Sequence, residues 1–158
     1  MIAVIIIVAT VVVALFILGG AAWFAYDSDK RVRTFARSTD LIPGRPGRAP
    51  ESWATDNTRE ALLHRRIRYA IADVHANPAI PHDDELVAAR NRLDDAVFEL
   101  DDRLIASVDL GGEEATEALD RAEAGIKDLE KLPKKLWEAP REEQLADLDR
   151  VARVLSRG

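Results

Sequence analysis

Hydrophobic and polar positions divide the chain into two regimes. The first charged side chain is Asp27, so Ile2 to Tyr26 is a run of 25 uncharged, mostly aliphatic residues. As a helix this run would reach about 37 Å, enough to cross a hydrocarbon core of about 30 Å with some tilt. From about Ser52 onward apolar residues return at helical spacing. Leu63, Ile67, Ala70, Ile71 and Val74 share one face of a first helix that is expected to stop at Asn77-Pro78. A second helix is predicted to start at His82 or Asp83, with Asp83, Asp84 and Glu85 at its positive end, an inward line of Leu86, Leu93, Val97, Leu100 and Leu104, and a stop at Gly111-Gly112. A third, from Glu113 to Leu132, carries Ala115, Leu119, Ala122, Ile126 and Leu129 and is expected to end at Pro133. A fourth runs from Arg141 to Ser156 with Leu145, Leu148, Val151, Ala152 and Leu155 inward.

The pattern predicts an all-α protein: one N-terminal transmembrane helix (1–26), a basic juxtamembrane segment with a Pro/Gly-rich arm (27–50), and a helical domain (51–158). That domain is either a small cytoplasmic bundle or a set of open helical hairpins completed by a partner. Short breaks make sequential helices antiparallel, so the first two are expected to pair across Pro78 to His82. Arg59, Arg65, Arg66 and Arg68 are then placed to face Asp94, Asp95, Glu99, Asp101 and Asp102.

Leu41 to Pro50 holds three Pro and two Gly in ten residues, which excludes a helix. It reads either as a linker or as an extended arm docking on a neighbouring membrane protein, with Arg45 and Arg48 as charged contacts and Leu41, Ile42 and Trp53 as apolar anchors. Within the apolar run, Gly19-Gly20-Ala21-Ala22 forms a small-residue patch where a second membrane helix could approach closely. Together these features assign Gly19, Gly20, Trp23, Leu41, Ile42, Arg45, Arg48 and Trp53 to partner binding.

Charge fixes the expected orientation. Lys30, Arg31, Arg33, Arg37, Arg45 and Arg48 follow the apolar run, which places the body in the cytoplasm and the N-terminus outside. A cleaved signal peptide fits less well, because Trp23-Phe24-Ala25-Tyr26 puts bulky residues where a cleavage site needs small ones. From Asp27 to Arg68 there are ten basic and six acidic side chains; from Tyr69 to Gly158 there are twelve basic and twenty-two acidic. Lys30, Arg31, Arg33 and Arg37 are therefore expected at anionic lipid headgroups, whereas the acidic distal half argues against nucleic acid. The absence of cysteine agrees with a cytoplasmic domain.

Candidate chemistry is sparse. No glycine-rich phosphate loop, G-x-S-x-G or H-E-x-x-H motif occurs, so no catalytic residue, metal site or cofactor is expected and the chain is read as a nonenzyme. His64 and His75 lie eleven apart, on one helix face, and are expected to be ordinary surface histidines. The acids of the second helix lack the Glu-x-x-His pairing of di-iron bundles and read as a solvated face.

The stretch from Leu86 to Asp101 resembles, without gaps, the helix of LemA-family bacterial membrane proteins that reads roughly LVxxRNRVxxAWxxID. The match is carried by Arg90-Asn91-Arg92, Ala96 and Asp101, and Asp109-Leu110 falls on that family's Asp-Leu. Val97 stands where the family has an aromatic, Gly111-Gly112 replaces Ile-Pro, and Ile105 to Ser107 replaces a basic run. The resemblance implies an N-out anchor with a cytoplasmic helical bundle and supplies no catalytic residue.

Two functions are consistent with this reading. One is a noncatalytic accessory subunit or assembly factor that packs its span and arm on a larger integral membrane complex. Arg outnumbers Lys 17 to 5, a bias typical of GC-rich bacterial coding, and in such a bacterium a respiratory chain supercomplex is the expected host. The alternative is a free-standing LemA-like adaptor that recruits a soluble cytoplasmic protein through its acidic helices.

Overall fold

The computed structural model describes Phe35 and residues 38–157. The expected span from Ile2 to Tyr26 lies outside the described residues. Among the described residues no helix is long and apolar enough to cross a membrane.

One unit begins at Thr39. It opens with a short antiparallel hairpin, β1 (Asp40–Ile42) and β2 (Arg45–Pro46). Gly44 makes the turn possible, because its φ of 80° lies in the left-handed region. Its N–H donates to Asp40 Oδ2 at 3.1 Å. A 3₁₀ turn at Glu51–Ala54 then leads to α1 (Arg59–His75), α2 (Asp84–Ser107), α3 (Gly112–Glu138) and α4 (Arg141–Arg157).

Local chemistry sets most of the boundaries. Asp83 caps α2 by accepting from the N–H groups of Glu85 and Leu86 at 3.0 and 3.1 Å. The Arg141 guanidinium holds the same carboxyl below the ordinary range. Two boundaries differ from expectation. α2 stops at Ser107, and Gly111 is instead the N-cap of α3. α3 does not end at Pro133 but runs through it to Glu138. Proline there removes one backbone donor, but Leu132 and Leu136 on either side are buried at 0 and 1 % exposure, so packing on both flanks keeps the helix continuous.

The helices form a bundle in which the first two make the expected antiparallel hairpin, while the arginines of α1 find other partners than the sequence reading gave them. The Arg59 guanidinium reaches Asp120 and Glu123 at 2.6 and 2.8 Å, and Arg66 reaches Glu123 and Glu130 at 3.3 and 2.7 Å. The earlier arginine meets the earlier acids and the later arginine the later ones, an order that only parallel helices give. Asn77 Nδ2 donates to the Leu136 carbonyl at the far end of the same pair. α2 likewise runs parallel to α4: Arg141 meets Asp83 and Glu85, and Arg92 meets Asp149 at 2.9 Å. The architecture is thus two antiparallel hairpins, α1–α2 and α3–α4, laid side by side with like helices parallel.

The expectation that the α1 arginines face the acids of α2 is overturned. Arg59 and Arg66 go to α3, Arg65 donates to the carbonyls of Trp53 and Asp56 at 2.6 and 2.7 Å, and Arg68 donates to the Asp40 carbonyl at 2.7 Å. Burial pushes the Arg68 guanidinium down from its ordinary value. The expected inward lines are otherwise found. Ile67, Ile71, Leu93, Leu100, Leu104, Ile126 and Leu129 are at most 1 % exposed.

The α1–α3 ladder makes the bundle acid-sensitive. Hydrogen bonds from Arg59, Arg66 and Lys127 hold Glu123 down to about 2 from an ordinary 4.5, and Arg66 lowers Glu130 in the same direction. A carboxylate depressed in the folded state contributes stability that is full above its unfolded value and is lost as pH falls through its folded one. The melting temperature should therefore decline between about pH 4.5 and pH 2, and Arg66→Ala should flatten that decline in a series of circular-dichroism melts.

Gly125 sits where α3 meets α4. A Cβ at this position would lie 3.0 Å from Leu155 Cδ2. Gly125→Leu should destabilise the bundle by about 1–3 kcal/mol in urea titration, through overpacking against Leu155.

Candidate functional site

The residues assigned from sequence to partner binding divide into two groups. Gly19, Gly20 and Trp23, together with the proposed headgroup residues Lys30, Arg31, Arg33 and Arg37, lie outside the described residues. The others are engaged within this chain. Leu41 and Ile42 are both fully buried, and Trp53 is 6 % exposed. The linker reading fails for Leu41 and Ile42, because apolar β1 packs on α1 and so joins the core. As apolar anchors for another protein, Leu41 and Ile42 offer no accessible surface.

Arg45 and Arg48 reach the acids of α2. The Arg45 guanidinium lies 4.5 Å from the Phe98 ring centroid and 3.9 and 3.6 Å from Asp94 and Asp95. Arg48 lies 3.2 Å from Asp102. Both arginines are at least half exposed or close to it, at 49 and 75 %, so these pairs orient the hairpin more than they hold it.

Beneath the hairpin runs a polar seam that the sequence reading missed. His64 Nδ1 lies 2.6 Å from Asp101 Oδ1, and His75 Nε2 lies 2.9 Å from Asp94 Oδ1. Asp101 and Asp94 are only 1 and 3 % exposed, and His64 is buried as well. The expected surface histidines are therefore corrected, and the solvated acidic face holds for Asp95 and Glu99 but not for Asp94 and Asp101: each histidine on α1 satisfies a buried carboxylate on α2. Antiparallel geometry explains the pairing, since the order 64, 75 on α1 is matched by 101, 94 on α2. Trp53 closes one end with its ring edge-on to His64, 5.5 Å between centroids. The seam cross-links α1 to α2. Among the described residues no group of three His, Cys, Asp or Glu is placed to hold a metal ion.

A second feature lies at the C-terminal end of α2, just beyond Asp101. Arg103, Leu104, Ser107 and Leu110, facing Ala118, Arg121 and Ala122 of α3, enclose an open groove of about 280 Å³. Arg103 Nη2 donates to the Leu155 carbonyl, and Arg121 Nε donates to the Glu117 carbonyl at 3.3 Å. Neither guanidinium has a carboxylate within 4 Å among the described residues, and Arg103 Nε is buried without an acceptor.

Comparison with protein-family models, with curated proteins and with solved structures finds no match to this chain.

Proposed function

We propose that the protein is a noncatalytic, single-pass accessory subunit or assembly factor of a larger bacterial membrane complex, with a respiratory chain supercomplex as the host. The observation that carries this reading is the run of 25 uncharged residues from Ile2 to Tyr26, bounded by Trp23, Phe24 and Tyr26 and followed by Lys30, Arg31, Arg33 and Arg37. Aromatic rings and basic side chains at one end suit the headgroup region on the cytoplasmic side.

With β1 beginning at Asp40, the chain between the apolar run and the domain is the thirteen residues 27–39, which extend by at most about 45 Å in any conformation. Gly19 and Gly20 would let a partner helix approach within the bilayer.

Alkaline carbonate extraction and a C-terminal reporter test this placement. The full chain should stay in the membrane pellet, a chain lacking residues 1–26 should be released, and a C-terminal fluorescent protein should be bright while a C-terminal alkaline phosphatase is inactive. Extraction of the full chain into the supernatant, or an active phosphatase, would contradict it.

A further inference from the structure

The groove between α2 and α3 brings together two arginines, Arg103 and Arg121, whose hydrogen bonds among the described residues go to backbone carbonyls only. Acidic residues outnumber basic ones 28 to 22 in this chain, and Arg59, Arg66, Arg92, Arg141 and Arg150 each find a carboxylate. Arg103 and Arg121 each spend one donor on a backbone carbonyl. A guanidinium has five N–H donors, so each of the two arginines keeps donors beyond the one it gives to a carbonyl.

The surroundings define what would take those donors. Leu104 and Ala122 give the groove an apolar floor at 1 and 5 % exposure. Leu110 at its rim is 37 % exposed, and Val108 on the same turn is 57 % exposed. Val154, next to the Leu155 whose carbonyl Arg103 engages, is 37 % exposed. Three of the six exposed large apolar residues among those described thus belong to segments that meet at this end of the bundle. Glu113 and Glu114 nearby sit in the first turn of α3, where the helix dipole favours them. At about 280 Å³ the groove is below the size of most cofactor pockets and suits one or two side chains.

We infer that this groove is a docking site for a partner protein, receiving an Asp or Glu flanked by apolar residues. The carboxylate is held by Arg121 and Arg103, and the apolar neighbours cover Leu110 and Val108. Arginine beside apolar surface is the common composition of an interface hot spot, and arginine–carboxylate pairing supplies the specificity. The inference deepens the accessory reading by naming the surface a partner meets; the groove itself would serve a soluble partner equally.

The test is a photo-crosslinking amino acid at position 110 of the tagged full chain, expressed in its native host, with a second chain carrying it at Tyr69 as a control surface. The adduct at 110 should map by mass spectrometry to one partner segment with an acid among apolar residues. Arg121→Glu should lower its yield at least tenfold, with an unchanged circular-dichroism melt. Arg121 is exposed and bonds only its own helix, so this variant should fold; Val108→Ser provides an independent loss of yield by the apolar route. Absence of an adduct at 110, an adduct in a segment without an acid, or a yield indifferent to Arg121→Glu would each overturn the docking site. An adduct with a soluble protein that obeys these criteria would uphold the groove and contradict the membrane-complex reading, so the two fail separately.

Discussion

Replacing Leu41 and Ile42 together with alanine should unfold most of the protein at room temperature. Both side chains are fully buried, and each truncation removes burial and leaves a cavity, at about 2–5 kcal/mol apiece. The sum approaches the whole stability of an ordinary domain, about 5–15 kcal/mol. A fragment beginning at Glu51 should show the same defect, whereas one beginning at Thr39 should unfold cooperatively. Arg48→Ala serves as the control, because its ion pair is exposed and worth about 0–1 kcal/mol, and Arg45→Ala, whose guanidinium also lies beside the buried Asp94, should fall between it and the alanine pair. Urea titration followed by circular dichroism measures all five proteins. If the alanine pair shifts the midpoint no more than Arg48→Ala does, the hairpin is an ornament and the domain begins at the 3₁₀ turn.

The second large effect is expected in the seam. His64→Leu leaves the Asp101 carboxylate buried without its partner, a change that costs about 3–5 kcal/mol. Asp101→Leu should cost less, about 1–3 kcal/mol, because it leaves a single imidazole nitrogen without its hydrogen-bond partner. The double variant His64→Leu/Asp101→Leu should recover much of the first loss, since an apolar pair of similar volume needs no polar partner. At His75 and Asp94 the same cycle should give smaller numbers, because the His75 side chain is 19 % exposed and Arg45 remains beside Asp94. Additive losses in the double variant would mean that the two residues act separately and that the seam is not a unit.

Periodicity made the four helices legible, because an amphipathic helix announces its buried face in sequence. It does not say which helix that face meets. Arg59 and Arg66 matched the acids of α2 as well as those of α3, because Asp94 and Asp101 are seven residues apart just as Glu123 and Glu130 are, so spacing alone could not choose between the two helices. His64 and His75 were read as surface residues because a polar residue on a helix is usually exposed. Their positions relative to Leu63, Ile67 and Val74 place them at the edge of the buried face, which was the available signal. The hairpin escaped detection since strands of three and two residues carry no alternation to read.

Arg103 and Arg121 were also hidden, for a specific reason. Glu99 and Glu117 each stand four residues earlier, the spacing at which a helical ion pair is assumed. In the fold Arg121 takes the Glu117 carbonyl and Arg103 crosses to Leu155, so both charges are left open. Local spacing alone cannot register that choice, because the competing carbonyl of Leu155 arrives from a helix fifty-two residues away.

The most direct measurement is to purify the tagged full chain from native membranes in mild detergent and identify the proteins that come with it by mass spectrometry. Integral membrane subunits at fixed stoichiometry are the result expected of an accessory component. Soluble proteins alone, or the chain by itself at native expression, would contradict it.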